Sequence, residues 1–243
     1  MPGTGAFASG FLRRAAIAAV SAWLLSGSAF ADARPDLGFT TTVSSDLISQ
    51  YSRRFGPDAP DRLRDWIAFA REQKASAYAQ RLDAAGDGGA GMLQIVNDAI
   101  NRRMKWAEDS VHWGKGDYWA TPAESIGSAV GDCEDFSIAK YYLLKELGVP
   151  LARLRITYVR AMKMNGRAHM VLAYHASPEA EPMILDNVDP RVRSASERAD
   201  LEPVYSFNDD ELLLAKGGLR AKPSQVRAWL ALQQRLVAES RIQ

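Results

Sequence analysis

Leu154-Arg155-Ile156-Thr157-Tyr158-Val159-Arg160 and, after a short break, His169-Met170-Val171-Leu172-Ala173-Tyr174 are where the chain changes its period. Upstream, apolar residues recur at helical spacing; these two runs read instead as strands. Asn165-Gly166 lies between them and signals a hairpin, with a loop longer than two residues. Met183-Ile184-Leu185 makes a third short strand ending at Asp186.

Before the strands the spacing predicts three helices. Leu63, Trp66, Ile67 and Ala70 form one face of a helix from about Asp61 into the Gln80 region. Asp87-Gly88-Gly89-Ala90-Gly91 breaks the chain, and Met92, Ile95, Val96, Ala99 and Ile100 then define a second helix. Asp117-Tyr118-Trp119-Ala120-Thr121-Pro122 reads as a loop, since a residue before proline is pushed out of the helical region. The third helix runs from about Glu134 to Leu147, with Phe136, Ala139, Leu143 and Leu147 inward, and Gly148 and Pro150 stop it. A terminal helix is expected from Pro223 to about Ser240, on Val226, Trp229, Leu230 and Leu236. Helices first and strands afterwards predict an α+β fold with an antiparallel sheet.

The 243 residues suit one domain with extensions, and a formal charge of +1 gives no reason to propose nucleic acid as a partner. Arg13 and Arg14, the apolar run Ala15–Leu25 and Ala29-Phe30-Ala31 have the layout of a secretory signal. Export with cleavage after Ala31 is expected, which places the protein in the periplasm. Residues 32–45 read as a flexible lead-in and 46–243 as the folded domain. Loss of the two arginines takes the mature chain to about −1.

Cys133 is the only cysteine, in Gly131-Asp132-Cys133-Glu134-Asp135-Phe136 directly before the third helix. An internal disulfide is therefore excluded, and an unpaired thiol in an exported protein points to catalysis. Backbone N–H groups at a helix start favour a thiolate. Such a nucleophile needs a base and a group to hold that base. Of the three histidines, His112 lies in a polar stretch and His175 at a strand's end, whereas His169 opens a strand. Asp186 ends the next one, so helix start, strand and strand can bring Cys133, His169 and Asp186 together. The same residues also fit a plain reading, with His169 a satisfied strand-edge residue and Asp186 a turn former before Asn187.

Taken together, Asp117–Pro122, the box around Cys133, His169-Met170-Val171-Leu172 and Leu185-Asp186-Asn187 resemble the bacterial transglutaminase-like cysteine proteinases. The similarity runs from about Ser49 to Leu214, including Pro203-Val204-Tyr205-Ser206-Phe207-Asn208. It implies a papain-like/transglutaminase-like core and a Cys133-His169-Asp186 triad, with no departure at those positions. It also implies a calcium requirement and a large adhesin substrate of the repeats-in-toxin type, cut near its N-terminus so that biofilm cells are released. The implied inhibitory partner is an inner-membrane cyclic di-GMP receptor of LapD type. A transglutaminase or amidase, or a calcium-dependent binding module with a dead triad, are the rival readings.

The acids beside the thiol then acquire an account. Asp132, Glu134 and Asp135 would oppose a thiolate, and a Ca²⁺ held by them, with Asp117 adding a ligand, would remove that penalty. The simpler reading makes Asp132 a helix cap and the other two complements of the helix dipole. For the oxyanion, the Cys133 N–H is the first donor, and Trp119 or Trp113 could add an indole N–H.

Overall fold

Ser44 starts the first helix, α1 (Ser45–Phe55), by accepting the Leu47 N–H on its hydroxyl. The computed structural model describes residues 43–75, 90–216 and 218–242. The expected leader over 1–31, nearly all of the lead-in and the end of the helix drawn toward Gln80 lie outside these residues. The next helix, α2 (Ala59–Ala75), buries Leu63, Trp66, Ile67 and Ala70, the face its spacing predicts. In α3 (Ala90–Arg103), Met92, Val96, Ala99 and Ile100 are buried as expected.

Thr121-Pro122 is a helix start, which corrects the reading of that dipeptide as arguing against helix. Pro122 opens α5 (Pro122–Ser128), where its missing N–H costs nothing, after a short α4 (Asp109–His112). Thr121 and Glu124 form a reciprocal capping box there. The rule on residues before proline applies to Thr121, and Thr121 is extended.

A two-strand parallel ladder joins β1 (Lys105–Trp106) to β2 (Val130–Gly131) and delivers the chain to α6 (Cys133–Glu146). From Asp135 to Leu144 every residue of α6 is buried, so it is the central helix rather than an amphipathic surface one. Gly148, at φ 91°, ends it as expected.

The main sheet has seven strands in the order β6-β5-β4-β3-β7-β8-β9, all antiparallel. β3 (Leu154–Ala161) and β4 (Arg167–Tyr174) pair along their whole length, and Asn165 and Gly166 take left-handed conformations in the turn. β5 (Met183–Leu185) pairs with β4 only from Leu172 onward, leaving the β4 edge open beside His169 and Met170. On its other side β3 pairs with β7 (Leu201–Phe207), whose register shifts by a bulge at Val204, next to Pro203. β6 (Arg193–Ser194), β8 (Leu212–Leu214) and β9 (Arg220–Ala221) complete the edges.

The last helix, α7 (Arg227–Ser240), buries Trp229, Leu232 and Leu236; Leu230, expected in its apolar set, is exposed. Trp229 packs against Tyr141, Tyr142 and Phe207. None of the helices among the described residues is long and apolar enough to cross a membrane. Near the end of α7, Glu239 accepts the hydroxyls of Tyr51 and Thr121, fastening this helix to α1 and to the start of α5.

Withdrawal from water pushes the Glu239 carboxyl up to about 7 from its ordinary 4.5, against the pull of those hydroxyls. The folded state thus holds a proton that the unfolded chain has released, and the resulting stability is present below about pH 4.5 and lost as pH rises through 7. Wild-type stability measured against Glu239→Gln by denaturant unfolding should therefore fall steadily over that range. Parallel pH profiles for the two proteins would contradict it.

Candidate active site

Helix α6 begins on Cys133, and its first turn is built against two other segments. Asp132 occupies the N-cap position, yet its side chain makes no capping bond, which corrects the simpler reading of that acid. Asp135 is fully buried, and its Oδ1 accepts the Ala120 N–H at 2.7 Å. That bond ties the 117–121 loop to the helix. Gly131 is required here: a Cβ on it would lie 2.6 Å from the Asp135 Cβ and 2.8 Å from the Met104 methyl.

The parallel β1–β2 ladder continues through Ala107 N–H to Gly131 O and carries the following helix α4 alongside. Asp109, the first residue of α4, accepts the Tyr118 N–H and lies with Asp132 and Asp135. One oxygen from each of these three acids falls within 4.8 Å of the others. Asp109 Oδ1, Asp132 Oδ1 and Asp135 Oδ2 are all buried without a hydrogen-bond partner. Burial raises all three carboxyls, and neighbouring carboxylates add to it; Asp132 is pushed up to about 10. Three mutually close, unsatisfied carboxylate oxygens suit a hard cation such as Ca²⁺ and could supply part of its oxygen shell.

Of the four acids expected around the thiol, Asp132 and Asp135 come together. Glu134 turns to the thiol, which donates to its Oε2 at 2.7 Å, and the exposed Asp117 faces Glu134 and the Trp119 ring. Asp109 was not legible in the sequence, because the contact that makes it a neighbour is a two-residue ladder with no periodic signature.

Cys133 is half-buried. Burial pushes its thiol up, as do Glu134 and Asp132, while the Met170 backbone N–H works the other way. Met170 follows His169, so the thiol lies at the stretch of β4 that β5 leaves open. Ser137 Oγ donates to Met170 O at 3.0 Å and pins α6 to this strand.

His169 is buried, and its Nε2 lies 2.8 Å from Asp186 Oδ1. The same oxygen accepts the Val188 N–H at 3.0 Å, and Asp186 Oδ2 accepts Arg198 Nη2 at 2.8 Å. Burial acts to raise the Asp186 carboxyl, but these partners outweigh it and hold the group well below the usual carboxylate range. Asn101 donates to the Asp186 carbonyl and so anchors the backbone as well. The buried Lys140, with no hydrogen-bond partner among the described residues, adds a second cation near Asp186; burial pulls it down to about 7. His169, Asp186 and Arg198 line a cleft of about 330 Å³.

The other candidates lie apart. His112 contacts Trp113 and belongs to α4, and His175 reaches the Ala180 carbonyl. Trp119 is buried and stacked on Phe207 at 5.6 Å, and its Nε1 has no hydrogen-bond partner. Trp113 packs with Phe55 and Tyr118 around the far side of α4.

Residues 65–201 match the sequence profile of the bacterial transglutaminase-like cysteine proteinases. The chain belongs to that family. LapG of Legionella pneumophila is similar over 78% of this chain in three solved structures. In the EGTA-treated form it is 34% identical with a TM-score of 0.64, and 95% of that chain is covered. A second LapG structure gives 35% and 0.63, with 95% covered, and the calcium-bound form gives 34% and 0.61, with 97% covered. No curated protein sequence matches the chain. The α+β, transglutaminase-like fold expected from the sequence is thereby borne out, and the chain is a cysteine proteinase by family.

Gly131→Ala offers a direct check on how the acidic cluster of this proteinase is built. The added methyl meets Asp135 and Met104 inside contact distance, so the first turn of α6 must shift. Such overpacking should cost about 1–3 kcal/mol in denaturant unfolding. Unchanged stability would contradict the close approach.

Proposed function

We propose that this protein is a calcium-dependent cysteine endopeptidase of the periplasm that cuts the N-terminal region of a large surface adhesin of the repeats-in-toxin type. Release of that adhesin would promote biofilm dispersal, and an inner-membrane cyclic di-GMP receptor of LapD type would restrain the enzyme. The observation that carries the reading is the pairing at one sheet edge. A lone thiol at a helix start meets the backbone next to a buried histidine, whose ring is hydrogen-bonded to a buried carboxylate.

In this reading Cys133 Sγ attacks the scissile carbonyl carbon and forms a thioester. With Nε2 facing Asp186, His169 Nδ1 takes the thiol proton and passes it to the leaving amine. Asp186 fixes the ring and stabilises the imidazolium. His169 then draws a proton from water as it hydrolyses the thioester. The Cys133 N–H and the unpartnered Trp119 Nε1 are the proposed oxyanion donors.

Asp109, Asp132 and Asp135 would hold the Ca²⁺, with Glu134 and Asp117 completing the anionic surround. The unpartnered oxygens of the first three support that assignment, as does the calcium-bound form of LapG. The ion would supply positive charge beside the thiolate. The residues themselves fix the loop and helix start around it.

Incubation of the mature protein with N-terminal adhesin segments, followed by sequencing of new N-termini, tests the reading. Cleavage should require calcium and vanish in Cys133→Ala and His169→Ala, while His175→Ala retains most of it. Asp186→Asn should lower kcat by roughly 10²–10⁴-fold. Cleavage by a folded Cys133→Ala protein would exclude cysteine catalysis, and a cross-linked adduct in place of a free N-terminus would identify a transferase.

A further inference from the structure

Asp186 has two oxygens, and only one is occupied by the imidazole and the Val188 N–H. The other belongs to Arg198. This guanidinium, 5% exposed, comes from the turn Ala195–Arg198, which a Ser194/Glu197 capping box shapes. It donates from Nη2 to Asp186 Oδ2 at 2.8 Å. Its Nε and Nη2 also reach the two oxygens of Asp200, at 3.1 and 3.2 Å. Asp200 is itself held in place, since its carbonyl accepts the Met162 N–H at 2.8 Å.

We infer that Arg198 is a positioning residue for the proteinase, locking the rotation of the Asp186 carboxylate so that its other oxygen stays on His169. The inference rests on the catalytic roles proposed above for His169 and Asp186. A carboxylate with one free oxygen can turn about its Cβ–Cγ bond, and a buried oxygen left unpaired gives it reason to do so. A guanidinium anchored at its far side by a second carboxylate removes that freedom, because its donors lie in one rigid plane. Lys140 cannot replace it: its ammonium is near Asp186 in charge but makes no hydrogen bond to it.

The alternative is a purely structural Arg198 that only holds its turn to Asp200, and the cleft of about 330 Å³ shared by His169, Asp186 and Arg198 separates the two. If Arg198 is truncated, a guanidinium ion can enter from that cleft and occupy the vacated place. The calcium-loaded protein with Arg198→Ala, Arg198→Lys or Asp200→Asn is examined by peptide cleavage and by the proton resonance on His169 Nε2. Arg198→Ala should lose roughly 10- to 100-fold in kcat, with KM changed less than about twofold. Its His169 resonance should move upfield or broaden, guanidinium chloride should restore cleavage where sodium chloride does not, and Arg198→Lys should fall between.

A folded Arg198→Ala protein with wild-type kcat overturns the inference. So does a slow variant whose His169 resonance is unmoved and which guanidinium does not rescue, because a structural role alone gives that pattern. If neither arginine variant folds, Asp200→Asn decides: it frees one end of Arg198 and should shift the resonance, whereas an unmoved resonance and full kcat overturn the inference. A wild-type protein that shows the resonance yet cleaves nothing would sink the proposed function and leave the role of Arg198 at Asp186 to be read from the resonance of the variants.

Discussion

Three carboxylates that share one buried space at the start of a helix, each with an oxygen left unsatisfied, are the constraint on which the rest of this site depends. Negative charge collected this tightly is unfavourable in a dry environment, and the raised carboxyls of Asp109, Asp132 and Asp135 express that cost. The surrounding chain is shaped to bring it about all the same. Gly131 lets Asp135 pack onto the backbone, the β1–β2 ladder brings Asp109 alongside, and the Ala120 N–H ties the Trp119 loop to the same group. A site so made has the buried, unpartnered oxygens that could hold a cation.

A second carboxylate environment, at the sheet edge, is tuned the opposite way. Asp186 is as buried as Asp135, yet it is held ionised by His169, the Val188 N–H and Arg198. Carboxyls pushed apart in this manner can divide the labour of a site: one set would accept an external positive charge, and the other supplies a negative one. The Cys133 thiol meets Glu134 Oε2 and the Met170 N–H. In the proposed mechanism, calcium at the first set would relieve the repulsion that opposes a thiolate, while Asp186 would steady the imidazolium that forms with it.

Much of this was legible in the residues. Leu63, Trp66, Ile67 and Ala70 gave their helix because one apolar face must be covered, and the short runs rich in apolar and aromatic residues gave β3 and β4 because both strands are central. Cys133 stood out by being alone, and Asp186 by ending a strand. Asp109 and Arg198 did not stand out, since each reaches the site through tertiary pairing that leaves no local pattern. β7 was hidden as a strand by Pro203, which adjoins its bulge at Val204. Thr121-Pro122 misled because the rule that a residue before proline avoids helix says nothing of the proline itself.

The central claim is that a cation at Asp109, Asp132 and Asp135 releases the thiol for chemistry. Because Cys133 is the only cysteine, its rate of alkylation by iodoacetamide reads that one thiol without ambiguity. At neutral pH the rate should rise by roughly tenfold or more with calcium over excess chelator, and Asp109→Asn should blunt the rise. Equal rates with and without calcium in the wild-type protein, or a faster reaction in chelator, would contradict the account.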